Sequence, residues 1–235
     1  MKVGIMQPYF FPYIGYFQLI KAVDVYVNLD HVSFMKRSYM VRNKLKNNTP
    51  INIPVIKATQ NKSCIDIKIK IDKKYIDKFW KTIYYNYSKE KQFEEVSTNI
   101  FGTTIGEIVN YEYDDVAFLF SNLSISEFNL YFIKQTCNYL DIDTQIINSS
   151  DGLTDKPKNE GLQEITKQMG GDTYINAIGG KSLYNKEDFR DNNINLNFIE
   201  MGNVELDDPY ASILDILYRY DKEHIKKQLI KYKLS

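Results

Sequence analysis

Two cysteines, Cys64 and Cys137, are too few for a disulfide framework, and neither has a histidine close to it in sequence. A disulfide-stapled fold is excluded, and a reducing compartment fits. Histidine is as scarce, with only His31 and His224 present, and no Cys/His spacing of a metal site occurs, so no metal is expected. Net charge is missing too: thirty Lys and Arg balance thirty Asp and Glu. That removes any general electrostatic case for nucleic acid or an anionic membrane as partner. No apolar run approaches the roughly 18 residues of a membrane span. The apolar start is broken by Gln7, Pro8 and Pro12, unlike a signal peptide. The expectation is a soluble, cytoplasmic chain with no internal repeat.

Tyrosine is what the chain has in excess: nineteen, beside thirteen phenylalanines and a single tryptophan. AT-rich coding bias would produce this together with the many Ile, Lys and Asn. Stacking surfaces for sugars or bases would require it. With 235 residues the chain can bury one large core.

The opening stretch carries the most information. Val3 to Met6 is a short apolar run, as in a buried parallel strand. Gln7 to Gly15 is an aromatic turn with prolines at 8 and 12, Phe17 to Ala22 has helical spacing, and Val23 to Val27 is β-branched and alternating. Strand, loop, helix and strand make a βαβ unit, and open α/β sheets bind ligands at the carboxyl ends of their strands.

Further on, 50–56 reads as a strand bracketed by prolines and 65–71 alternates strictly, so the two are expected to form a hairpin. Ile76, Phe79, Trp80, Ile83 and Tyr84 recur at helical spacing, residues 91–109 suggest one or two short helices, and Ser124 with Glu127 has the capping-box pattern ahead of another helix. A helical insert at about 73–140 follows from that spacing. The last third alternates again, with a strand at 144–148, a helix at 160–169 stopped by Gly170-Gly171, and strands at 172–176 and 194–199. A C-terminal helix is expected to start at Pro209.

Candidate site residues cluster early. Gln7 follows a strand and precedes a proline, so its amide points into the cleft or satisfies loop backbone. Tyr13 and Tyr16 face a sugar or base, or pack on the helix they introduce. The segment from Asp30 to Asn43 offers a carboxylate, the His31 imidazole, the cations Lys36 and Arg42, and the Asn43 amide. Arg recognises phosphate bidentately and Lys as a point charge, which suits a nucleotide diphosphate. Asp30 or His31 is the candidate general base for an amine or hydroxyl acceptor. Gly179-Gly180-Lys181-Ser182 is either a backbone nest with Lys181 for an anion or a turn with a surface lysine, since P-loop spacing is missing. Asp141-Ile142-Asp143 has Asp-x-Asp spacing but reads as a helix end.

These residues resemble those of the WbqC-like protein family. The matching positions are Gln7, Pro8, Pro12, Tyr13, Gly15 and Tyr16, then Asp24, Asp30, Phe34, Lys36, Arg42 and Asn43. The resemblance continues at Tyr174, Gly180, Tyr184, Phe189 and Ser212 to Asp215, spanning nearly the whole chain as a single domain over 1–235. It implies a place in bacterial surface-polysaccharide (O-antigen) biosynthesis. The opening is also similar to that of nucleotidyltransferases and pantothenate-synthetase-like enzymes, whose loop carries His-x-Gly-His; here those positions are Tyr13-Ile14-Gly15-Tyr16. Tyrosine has no positive charge near neutral pH, so it cannot replace imidazolium at a transferring phosphate. Together these readings imply an α/β, Rossmann-like (nucleotidyltransferase-type) core with a mostly helical insert. The expected function is acyl or aminoacyl transfer to the amine of a nucleotide-linked amino sugar. The donor would be a thioester, on an acyl carrier protein or as acyl-CoA. A non-catalytic nucleotide-sugar binding protein and a glycosyltransferase-like enzyme are the alternatives.

Overall fold

The apolar run at the start forms β1 (Lys2–Met6), the first of six strands in one sheet. The structure, a computed structural model, describes residues 1–56, 59, 61–102, 120, 122–156 and 158–235. After β1 come helix α1 (Ile14–Ala22) and β2 (Val25–Asn28). Strands β3 (Arg42–Lys44) and β4 (Pro50–Asn52) make a separate antiparallel ribbon. Strands β5 (Gln145–Asn148), β6 (Thr173–Ala177), β7 (Asn195–Met201) and β8 (Tyr232–Leu234) complete the main sheet. Its spatial order is β5-β2-β1-β6-β7-β8, parallel except for β8 on β7. The direction of winding therefore reverses between β1 and β6.

Alternation along the strands sends side chains to two faces. Val3, Ile5, Val25, Val27, Tyr174, Leu196 and Phe198 pack with Leu162, Ile165 and Phe189 on one face. Tyr26, Ile175 and Ile199 belong to the larger core on the other face, with α1, the insert and the C-terminal helices. Every residue from Ile14 to Ile20 is buried, so α1 has almost no solvated side. A sheet covered on both faces buries its central strands, and β1, β2 and β6 are buried nearly throughout, while β5 and β8 at the edges are more open.

The insert crosses from β2 to β5 and contains α2 (Lys73–Tyr87), α3 (Phe93–Phe101) and α4 (Ile125–Tyr139). The expected helices at 91–109 are met by α3, and residues 103–109 lie outside the described residues. Helix α4 begins with the capping box read from Ser124 and Glu127: Ser124 Oγ accepts from Glu127 N at 3.1 Å, and Glu127 Oε2 accepts from Ser124 N at 2.6 Å.

Two expectations are corrected. The alternating run at 65–71 begins inside a 3-10 turn (Cys64–Asp66) and meets the 50–56 run only at the bridge Val55–Ile69, because β4 pairs with β3 instead. The C-terminal helix does not start at Pro209. Helix α5 (Lys158–Gln168) and the short α6 (Lys186–Arg190) precede it, and the final segment is two helices, α7 (Ile213–Arg219) and α8 (Lys222–Leu229). Ser212 caps α7 and Asp221 caps α8, while Tyr220 is extended between them. Side-chain caps, not the proline, set both starts.

Among the described residues no helix is long and apolar enough to cross a membrane. Replacing Ser124 by Ala should lower stability by about 1 kcal/mol, the usual cost of a lost N-cap. Denaturant unfolding would show this as a lower midpoint with an unchanged slope.

Candidate functional site

Where β1 and β6 part, their carboxyl ends open a cleft of about 600 Å³. Reversals of strand order are where open α/β sheets hold ligands. Gln7 leads out of β1, Asn176 and Ala177 end β6, and Ile178 to Gly180 turn away from it. Tyr9, Tyr13, Tyr39, Tyr184 and Tyr210 supply aromatic parts of the wall. Lysine, arginine, histidine, aspartate and glutamate are all missing from the described lining. A wider depression of about 970 Å³ over Lys74, Lys78 and Lys81 on α2 is an open, solvated face that none of the six strands of the main sheet lines.

The wall is ordered by ring contacts. Tyr13 stacks on Tyr210 with centroids 5.8 Å apart and planes at 24°, and Tyr9 tilts against Tyr39 at 5.9 Å. Gly15 permits this, since a Cβ there would stand 2.4 Å from the Tyr13 ring. Burial first, and neighbouring phenols second, push the Tyr9 and Tyr13 hydroxyls above the ordinary tyrosine range; burial alone does so for Tyr184. All three stay protonated at neutral pH, able both to donate and to accept.

Amide groups complete the lining. Tyr9 Oη donates to Gln7 Oε1 at 3.3 Å, while Gln7 Nε2 donates to no described protein group. Asn176 Oδ1 accepts from Ala177 N at 2.8 Å, and its Nδ2 likewise has no described partner. A Cβ on Gly180 would sit 2.4 Å from that Nδ2, so glycine leaves the amide its place. Two N–H₂ donors and three protonated phenols thus face one neutral space.

The turn that carries Tyr9 and Tyr13 is buried, so its backbone must be satisfied from inside. Asn129 on α4 donates to Pro8 O at 3.1 Å and to Met40 O at 2.9 Å. Asn43 on β3 donates to Phe10 O at 3.1 Å and Phe11 O at 2.7 Å. Ser212 Oγ donates to Phe11 O at 3.0 Å, and Ile213 N to Pro12 O at 2.9 Å.

Of the residues singled out in the sequence, Gln7, Tyr13 and Asn43 line the cleft. Asn43, though, spends its amide on the turn and acts as a fastener. Tyr16 is corrected: it is 2% exposed, because α1 begins at Ile14 and places it in the first turn of a helix covered on all sides. Its hydroxyl donates to Gln7 O at 2.9 Å and accepts from Tyr26 Oη. Asp30 is corrected as a general base, since its carboxylate is 2% exposed and already accepts from Ser149 Oγ, Ser150 N and Ser150 Oγ. His31 is half-buried beside it and outside the cleft lining. Lys36, Arg42 and Lys181 are exposed and make no side-chain bond among the described residues; none lines the cleft. Asp141 is held by Lys222 and Lys226, each at 2.9 Å, which fits a helix end.

Sequence reading missed Tyr9, Tyr39, Asn176 and Tyr210. Asn176 could have been found, as the polar last side chain of a buried strand at a carboxyl end. Tyr39 and Tyr210 carry no local signal and arrive from the ribbon and the α7 approach. Among the described residues no group of three His, Cys, Asp or Glu could hold a metal.

A family model described as the WbqC-like protein family matches residues 7–227. The chain is similar to Uncharacterized protein Rv1507c of Mycobacterium tuberculosis (strain ATCC 25618 / H37Rv), 26% identical over 239 residues that cover 94% of this chain and 95% of the relative. No solved structure matches.

Asn43→Ala should destabilise the fold by roughly 1–3 kcal/mol, since the Phe10 and Phe11 carbonyls lose a buried donor. Asn43→Asp should do no better, because an ionised carboxylate donates nothing; denaturant titration of both variants checks this. Both cysteine thiols are buried and pushed up to about 12, Cys64 by burial and then the Asp30 carboxylate, Cys137 by burial alone. A thiol-specific disulfide reagent at pH 8 should therefore label neither in the native protein and both in guanidinium.

Proposed function

Because the chain belongs to the WbqC-like protein family, we propose that it works in bacterial surface-polysaccharide assembly and binds a nucleotide-linked amino sugar. The observation that carries this is the neutral cleft at the β1/β6 divergence, walled by tyrosines and amides. Tyrosine faces suit a sugar or base ring, and phenols with free amide N–H groups suit hydroxyls. Nothing in that lining would neutralise a diphosphate, so the phosphates belong outside it, where the exposed Lys36, Arg42 and Lys181 are the candidate cations.

Taken in chain order, the six sheet strands lie 3-2-1-4-5-6, which supports reading the core as Rossmann-like and of the nucleotidyltransferase type. Adenylylation does not go with it, because Tyr13 and Tyr16 occupy the histidine positions and neither is cationic. The reaction is then acyl or aminoacyl transfer from a ready-made thioester, on an acyl carrier protein or coenzyme A. The sugar amine attacks the thioester carbonyl, the C–N bond forms, the C–S bond breaks, and one N–H proton passes to the departing sulfur, which leaves as the thiol. A cytoplasmic setting goes with those substrates.

One observation favours a second reading, a non-catalytic nucleotide-sugar binding protein: no carboxylate, imidazole or thiol is among the described cleft lining. A glycosyltransferase-like enzyme would need such a group there as well.

Calorimetry with a uridine-diphosphate amino sugar, uridine diphosphate alone and ATP tests the site. The nucleotide sugar should bind best and ATP weakest. Tyr13→Ala and Tyr210→Ala should each weaken it about tenfold, as loss of one stacking ring does. Gly15→Ala should do the same through a displaced Tyr13 while leaving the melting temperature nearly unchanged. Wild-type affinity in all three variants would remove the cleft as the site. Mass gain of the amino sugar after incubation with acyl thioesters separates a transferase from a binding protein.

A further inference from the structure

One polar cluster stands apart from the cleft. After β2 and β5, Asp30, His31, Ser149 and Ser150 meet across the sheet end. Ser149 is fully buried, and its Oγ lies 2.7 Å from Asp30 Oδ1, 2.7 Å from His31 Nδ1 and 3.1 Å from Asp30 N. A hydroxyl has one proton and two lone pairs. An ionised carboxylate only accepts, so the Ser149 proton goes to Asp30. The Asp30 N–H fills one lone pair, and the other is left for the third neighbour. His31 Nδ1 must then be a donor and carries its hydrogen whether the ring is neutral or charged. Proton gain and loss are confined to Nε2, which has no hydrogen-bond partner among the described residues.

The support behind the ring is rigid. Ser150 N and Oγ reach Asp30 at 2.9 and 2.5 Å, Cys64 Sγ and Ile65 N bond the Asp30 carbonyl, and Ser63 Oγ bonds the His31 carbonyl at 2.8 Å. Tying β2 to β5 would need only Asp30 and the two serines. The half-buried imidazole with a bare nitrogen is additional to that tie.

We propose that this cluster is a proton-accepting site, in which Ser149 and Asp30 are positioning residues that hold His31 Nε2 toward a hydroxyl or amine of a ligand. In the step the ligand's O–H or N–H bond breaks and Nε2–H forms. The electron pair stays on the ligand atom, which bonds to the thioester carbonyl carbon as the C–S bond breaks, and the departing sulfur takes the proton from the imidazolium, which stands one hydroxyl away from the Asp30 carboxylate. The role rests on the transferase reading; the hydrogen-bond geometry does not.

His224 provides an internal contrast, because its Nε2 lies 2.8 Å from the Glu205 carbonyl, which can only accept, a closer contact than the 3.3 Å to the donor Gln228 Nε2. Long-range proton–nitrogen spectra of chain labelled with ¹⁵N-histidine, at a pH where both rings are neutral, should show opposite tautomers. His31 should be protonated at Nδ1 and His224 at Nε2, with His224→Gln supplying the assignment. Ser149→Ala should let His31 populate both tautomers. Diethyl pyrocarbonate should modify His31 at Nε2 in the folded wild type. A wild-type His31 protonated at Nε2, or one modified only after denaturation, overturns the proposal, and these arms decide even where Ser149→Ala does not fold. Either result leaves the calorimetric test of the cleft standing on its own.

Discussion

Satisfying the buried carbonyls of the Pro8–Pro12 turn is the constraint on which the rest depends. A loop inside a protein cannot use water, and a buried polar group without a partner costs about as much as a lost hydrogen bond. Here the donors come from Asn129 in the insert, Asn43 in the ribbon, and Ser212 and Ile213 at the last helix pair. Phe10 N is bonded in turn to Tyr39 O at 2.7 Å. Phe11 sits at a φ of 42°, a left-handed conformation that a non-glycine residue keeps only where its surroundings hold it. Packing does so, with Phe11 against Phe10, Phe79 and Phe132.

The same bonds explain how the cleft is assembled. Asn43 draws the ribbon in and with it Tyr39; Ser212 draws in the segment that carries Tyr210. Tyr13 then finds Tyr210, and Tyr9 finds Tyr39, as ring partners. Segments more than 160 residues apart in the chain thus build one wall. Polar groups elsewhere serve similar closures: Gln18 Nε2 bonds Gln228 O at 2.8 Å and Lys231 O at 3.0 Å, and Asp215 accepts from Tyr87 Oη at 2.6 Å. Helices α1, α2 and α7 with the C-terminus are fastened by these bonds.

Charge is separated from this neutral wall. Lys44 pairs with Asp208 at 3.1 Å beside the cleft, and the exposed Lys36, Arg42 and Lys181 remain at the surface. A site of this kind would grip a ring by area and hydroxyl bonding inside and leave phosphates to solvent-exposed cations outside. Burial also makes the phenols and thiols poor acids, which suits recognition better than nucleophilic chemistry. The His31 cluster is set on the neighbouring strand end, where Ser149 joins the imidazole to the Asp30 carboxylate.

Local chemistry made much of the fold legible. The capping box at Ser124, the apolar run of β1, the alternation of β2 and the glycine stop after α5 each act within a few residues, so the chain states them directly. The strand end at which the cleft opens was legible as well, because a βαβ unit places its loop there. Tyr16 could not be decided between cleft and helix packing, because its neighbours give no hint that α1 is buried from Ile14 to Ile20. Asp30 was misread because its partners, Ser149 and Ser150, lie more than a hundred residues on. By itself the sequence determined most strands of the main sheet, the helices of the insert, the first strand–loop–helix and the absence of a cationic loop, all of which rest on propensity and local bonding. Only the tertiary structure decided which tyrosines face the cleft and which amides fasten the turn. Those assignments depend on hydrogen bonds and ring contacts between segments that meet only when the sheet, the insert and the last helices are packed together.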